Sequence, residues 1–160
     1  MAIKTPNQLY LPSKEYFEGI LQLRNVTDDL VQWVYTQTAK DARALITADT
    51  RVRGGYDLKF SSQKYLRIIG RKIKERFPGQ ITESRTLHTQ SRTGEDLYRV
   101  TVAFRQLPFK EGDIVRINNK EHKVLRLRDK AEVEDITTKK KRWLRFEDIG
   151  MRKRDGASRF

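Results

Sequence analysis

The sequence predicts an α+β protein built as two domains, on three observations. Apolar residues alternate with polar ones in a series of strand-like segments, and this alternation gives way to a helical period in two places. Both helical segments precede Pro108. After Pro108 the apolar runs are short and are separated by polar turn residues.

The elements follow in order. Residues 1–14, with Pro6, Pro12 and no periodicity, read as a flexible leader to a first domain over 15–107. Phe17, Gly19, Leu21 and Leu23 alternate with Ile20, Gln22 and Arg24, the pattern of a strand with one buried face. Asn25 or Thr27 is placed to cap a helix in which Leu30, Val31, Val34 and Thr38 share a stripe up to about Ala42. Residues 45–52 and 56–60 read as a hairpin, because Gly54-Gly55 after Arg53 supplies the positive φ of a tight turn. Ser61 or Ser62 caps a second helix, which Pro78-Gly79 stops. A second hairpin pairs 81–90 with a strand that presents Tyr98, Val100, Val102 and Phe104 on one face, around Arg92-Thr93-Gly94. Strand, helix, strand, strand, helix, strand plus one strand is the order of a ferredoxin-like split β-α-β domain, in which two helices cover one face of an antiparallel sheet. Over 108–150, strands at 113–117, 122–128, 132–137 and 143–146, with Asn118-Asn119 as a turn, suit a small SH3/KOW- or OB-like β-barrel. Residues 151–160 read as a basic, disordered tail.

Charge points to the partner. Thirty-four Lys and Arg face 21 Asp and Glu, a net charge of +13, which favours a polyanion and nucleic acid first. Absence of a run of about 18 apolar residues or an opening signal peptide argues against membrane and secretion. Absence of cysteine excludes disulfides, thiolate metal sites and a cysteine nucleophile, and is compatible with the cytoplasm. In the second helix, Leu66, Ile69, Ile73 and Phe77 form the core stripe, while Lys64, Arg67, Arg71 and Lys74 form a solvent-side stripe with Lys72 and Arg76 flanking it. Only Glu75 answers them, and like charges three and four apart repel by a few tenths of a kcal/mol per pair. An external phosphate backbone would remove that cost. Ile68, outside the core stripe, is a candidate contact for a protein partner. Lys139, Lys140, Lys141 and Arg142 at an expected loop tip, with Arg126 and Arg128 near another strand end, add further RNA-binding candidates. The plain alternative is that such runs only keep a basic protein soluble.

Catalytic constellations are missing from this pattern. His88 and His122 are both expected at the surface and are not spaced as ligands or triad members. Asp28-Asp29 fit the first turn of a helix, where its dipole favours acids. Glu132, Glu134 and Asp135 are the densest acids; an RNA-processing or RNA-modifying enzyme holding a metal there is the competing reading, and charge balance on an exposed strand is the simpler one. No phosphate loop, dinucleotide fingerprint or nucleophile elbow occurs. We therefore expect no catalytic residues, no metal, no cofactor and no small-molecule substrate. The outward positions that would carry base-stacking aromatics in an RNA recognition motif are Gly55 and Asp57, so RNA is expected to be read through phosphates and shape.

The stretches "EYFEGILQLRN", "GGYDLKFSSQKYLRIIGRKIKERFPGQITESRTLHTQSRTGEDLYRVTVAFR" and "FKEGDIVRINNKEHKV" resemble the archaeal branch of the Nmd-three family, the ribosomal large-subunit export adaptor. The resemblance covers residues 16–149. It implies a non-enzymatic factor on the intersubunit face of the large subunit, spanning the tRNA sites, with a role in assembly, stabilisation or quality control. Its implied partner is the large ribosomal subunit, through rRNA and its proteins. Family members begin with paired C-x-x-C motifs that form a zinc domain; this sequence lacks them, so zinc is not carried over.

Overall fold

The computed structural model describes residues 11–149. The expected tail and the first ten residues of the expected leader lie outside them. The described chain is α+β, with two helices and two mostly antiparallel sheets. Its contacts divide it into two compact units after Gln106.

The first unit runs β1 (Gly19–Arg24), α1 (Asp28–Ala39), β2 (Ile46–Val52), β3 (Gly55–Phe60), α2 (Gln63–Arg76), β4 (Gly79–Gln90) and β5 (Asp96–Gln106). Helix α1 stops at Ala39, three residues short of expectation, and Lys40 caps it. The turn between β2 and β3 is Arg53-Gly54, with Gly54 at φ +80°, so Gly55 already belongs to a strand. The sheet order is β2-β3-β1-β5-β4. Strands β1 and β2 both pair antiparallel with β3 between them, as a split β-α-β unit requires.

The expectation of a wholly antiparallel sheet is corrected on the other side, where β5 lies parallel to β1. Chain order would put β4 beside β1, but side-chain chemistry puts β5 there. Val100, Val102 and Phe104 of β5 are buried on the helix-covered face, whereas β4 is exposed from Thr82 onwards. The apolar strand takes the centre and the polar one the edge, since a central strand loses solvent on the covered face.

Leu21, Leu23, Leu58, Phe60, Val100, Val102 and Phe104 from the sheet meet Leu30, Val34, Leu66, Ile69 and Ile73 from the helices in one core. Gly70 lets α2 sit close: a Cβ there would come 3.1 Å from Val102 Cγ1 and 3.3 Å from Ile81 Cδ1. Tyr65 joins the core as well, and Phe77 is only partly buried against it. Phe17 departs from the expected alternation, because the strand begins at Gly19. Its ring lies instead beneath Arg99 (3.8 Å to the guanidinium carbon) and Lys59 (4.5 Å to Nζ), both on the face away from the helices.

The second unit is a four-stranded antiparallel meander of β6 (Ile114–Ile117), β7 (Lys120–Leu127), β8 (Ala131–Asp135) and β9 (Lys141–Leu144), with a 3₁₀ turn at Phe146–Asp148. Asn118 and Asn119 both adopt positive φ, +49° and +62°, the signature of a tight turn suited to strand twist. Leu107, Phe109, Ile117, Val124, Ala131, Val133, Phe146 and Ile149 form its core. The expected strand over 143–146 lies at Lys141–Leu144, because the chain turns to bring Phe146 to 6.4 Å from Phe109. His122 is buried, not exposed as expected: it shares the inner face with Val124, its Nδ1 lies 3.0 Å from the Lys120 carbonyl and its Nε2 lies 4.0 Å from Asp135 Oδ2. His88 is exposed as expected. Among the described residues no helix is long and apolar enough to cross a membrane.

Candidate nucleic-acid interface

Helix α2 is held at its start by two acceptors. The Ser62 hydroxyl takes the Tyr65 N–H at 3.2 Å, and Glu18 Oε2 takes the Gln63 N–H at 2.8 Å. Glu18 is in turn fixed by the Tyr16 hydroxyl, which donates to Oε1 at 2.8 Å; burial and this bond push that hydroxyl up to about 12.

With Tyr65, Leu66, Ile69, Gly70 and Ile73 facing the core, helical geometry sets Lys64 and Arg71 directly opposite, outermost on the helix. Arg67 and Lys74 occupy the flank toward β4. Arg67 proves that direction by an ion pair with Glu83 on β4 at 2.9 Å. Arg76 and Lys72 occupy the flank toward α1, where the Arg76 guanidinium lies 5.8 Å from the ring centres of Trp33 and Phe77. Arg67 is thus partly engaged by the protein's own carboxylate, a correction to the expected four-cation stripe. Among the described residues, Lys64, Arg71, Lys72 and Lys74 make no ion pair and are exposed. Ile68, expected outside the core, is half-buried.

The cations of the second unit do not form one patch. Arg126 and Arg128 lie at the β7–β8 end of the meander, and Lys139 and Lys140 at the β8–β9 end. Lys141 and Arg142, expected in a loop tip, are strand residues opposite Glu134 and Val133. The loop tip is a turn built by Asp135, whose Oδ1 accepts from the N–H groups of Thr137 (2.8 Å) and Thr138 (3.0 Å) and whose carbonyl accepts from Lys139 (2.8 Å). Lys139 takes φ +61° to close it.

Those two amides, Thr138 first, then nearby His122, hold the Asp135 carboxyl below the usual carboxylate range. A depressed folded value means a contribution to stability that is present above the ordinary pKa and lost as pH falls through the folded one. The Thr138 amide resonance is therefore expected to move upfield only on acidification below the ordinary carboxylate range. Asp135→Ala is expected to abolish that transition and lower the melting temperature, as followed by NMR and thermal unfolding; an unchanged pH profile would refute the turn's dependence on the carboxylate.

The three densest acids are dispersed. Asp135 faces inward with Ala131 and Val133, whereas Glu132 and Glu134 face outward. Glu134 lies between Lys123 and Lys141 across the ladder, and Glu132 pairs with Arg126 at 3.6 Å. Among the described residues no group of three acids or histidines is placed to hold a metal ion.

On the sheet face away from the helices, Lys59, Arg99 and Arg105 accompany the Arg24–Asp57 ion pair (2.8 Å). Gly55 and Asp57 occupy that face in register with Arg24 and Gln22, as the alternation of β3 requires. The aromatic that sequence reasoning missed there is Phe17, whose assignment to the wrong face hid its cation contacts. No signal in the period-2 pattern reveals it, since Phe17 precedes β1, which begins at Gly19.

The family model described as NMD3, second domain, matches residues 16–105. No curated protein matches the chain.

Proposed function

The chain belongs to the NMD3 family, which is linked to binding and export of the large ribosomal subunit, and from that premise we propose that it is a cytoplasmic, non-enzymatic factor that binds large-subunit rRNA in assembly, stabilisation or quality control. The observation that carries the reading is the cationic surface of α2, where Lys64 and Arg71 stand exposed opposite the locked core face and Lys74 stands exposed on the flank toward β4. Such a face costs self-repulsion and returns it when phosphates replace counterions. In this reading the first unit is a ferredoxin-like domain with one added strand, and the second a small barrel of the SH3/KOW or OB kind. Lys139 and Lys140 on the Asp135 turn form a second anchor, with Arg126 and Arg128 a third.

Co-sedimentation with purified large and small subunits over a salt series tests this. Binding to the large subunit alone is expected, with log K falling linearly against log salt at a slope of about −3 or steeper, as three or more phosphate contacts require. Equal binding to both subunits, or binding insensitive to salt, would refute it.

A further inference from the structure

Among the described residues strand β4 is the longest at 12 residues, and as the last strand of its sheet it has one edge that no described strand pairs. Ile81 packs on the core, but every residue from Thr82 to Gln90 is exposed, and β5 is exposed from Asp96 to Tyr98. Beyond α2 the two strands form a ribbon wet on both faces, an arrangement only marginally stable in water. Yet it displays three large apolar side chains, Leu87, Leu97 and Tyr98, at 54%, 47% and 39% exposure. Leu87 and Tyr98 stand directly opposite one another in the register, and Arg85 lies 5.2 Å from the Tyr98 ring centre. From Thr82 to Gln90 there is no proline or lysine, and the guards present are Glu83, Arg85 and a register shift between Leu87 and Thr89.

We infer that the free edge of β4, with Leu87 and Tyr98, takes an extended polypeptide segment of a large-subunit protein as an added strand, acidic where it passes α2 and apolar along the arm. This rests on the large-subunit reading above. Charge selects the occupant. Residues 82–98 hold two arginines against three acids, Glu83, Glu95 and Asp96, so the arm offers a phosphate backbone no net attraction. The flank of α2 on the β4 side carries Arg67 and Lys74 against Glu83, a net positive charge. Two copies of the chain joined through β4 would bring two such flanks together, whereas an acidic segment would neutralise one.

Leu87 is replaced by the photoreactive Leu87→p-benzoylphenylalanine, and the full chain is bound to purified large subunits and irradiated. The expected adduct survives ribonuclease, is destroyed by protease, and maps to one segment of a subunit protein. Leu87→Glu is expected to weaken association at least about tenfold, as for one interface anchor lost, with an unchanged melting temperature. Amide exchange along β4 is expected to slow on alternate residues upon binding. An adduct with rRNA, an adduct with a second copy of the chain, or no adduct from chain that does co-sediment overturns the inference alone. Failure to co-sediment overturns the large-subunit reading and this inference with it.

Discussion

Reversing Lys64, Arg71 and Lys74 together to Glu is expected to weaken association with the large subunit by about three orders of magnitude near 0.1 M salt. Each phosphate contact contributes roughly tenfold at that ionic strength and about 0.9 to the slope of log K against log salt, so the slope should also fall by about 3. The fold is expected to tolerate the change. All three side chains are exposed, Lys64 and Arg71 opposite the core and Lys74 on the flank toward β4, and none pairs with a described carboxylate. The acids introduced at positions 64 and 71 would face Arg67 at favourable spacing, whereas the acid at 71 would repel Glu75 and the acid at 74, which itself would stand in the last turn. These effects of a few tenths of a kcal/mol oppose one another, so thermal stability should change little. Arg67→Ala serves as the internal control. Because Arg67 is engaged with Glu83 at 2.9 Å, its loss should cost binding less than about tenfold. Equilibrium binding and melting measured on the same samples separate the cases: unchanged affinity in the triple variant would leave the helix face as a solubility device and end the rRNA assignment for it.

Tyr65→Ala is expected to cost the first unit about 3–5 kcal/mol, the range for removing a large aromatic side chain from a core. Tyr65 is 2% exposed, its ring centre is 6.0 Å from that of Phe60, and its hydroxyl lies 3.4 Å from Thr38 Oγ1 on α1. It therefore joins both helices to the sheet. The hydrogen bond is long, so Tyr65→Phe should cost no more than about 1 kcal/mol. Urea unfolding of the two variants distinguishes packing from hydrogen bonding: a large loss in both would place the hydroxyl at the centre of the interaction, and a small loss in both would contradict the burial. Since Lys64 is its immediate neighbour on α2, loosening Tyr65 is also expected to blur the orientation of the cations that the same helix presents.

The core stripe of α2 and its cationic face were readable together because one helical period assigns both; burial of Leu66, Ile69 and Ile73 leaves Lys64 and Arg71 no other direction. Tyr65 escaped that stripe because its position lies at the rim of the arc, where only the approach of Thr38 from α1 decides between solvent and core. Similarly, His122 reads as a surface histidine from its polar neighbours, and only its pairing opposite Asp135 across β7 and β8 turns it inward. The six-cation set of the second unit was legible as composition, but not as geometry: strand register sends Lys141 and Arg142 into β9 and leaves Arg126 at the far end of the meander.

Local periodicity thus determined the two-part α+β character and nearly every element, and the charge pattern marked the exposed cationic face of α2. Those properties are set by neighbours within a few residues along the chain. Only the tertiary structure decided that β5 inserts parallel to β1, that β4 is left as a partly apolar edge strand among the described residues, and that Arg67 closes onto Glu83. The physical reason is that strand order follows a competition for burial between segments far apart in sequence: β5 has the apolar face to win the centre, and what β4 then exposes is fixed by that outcome.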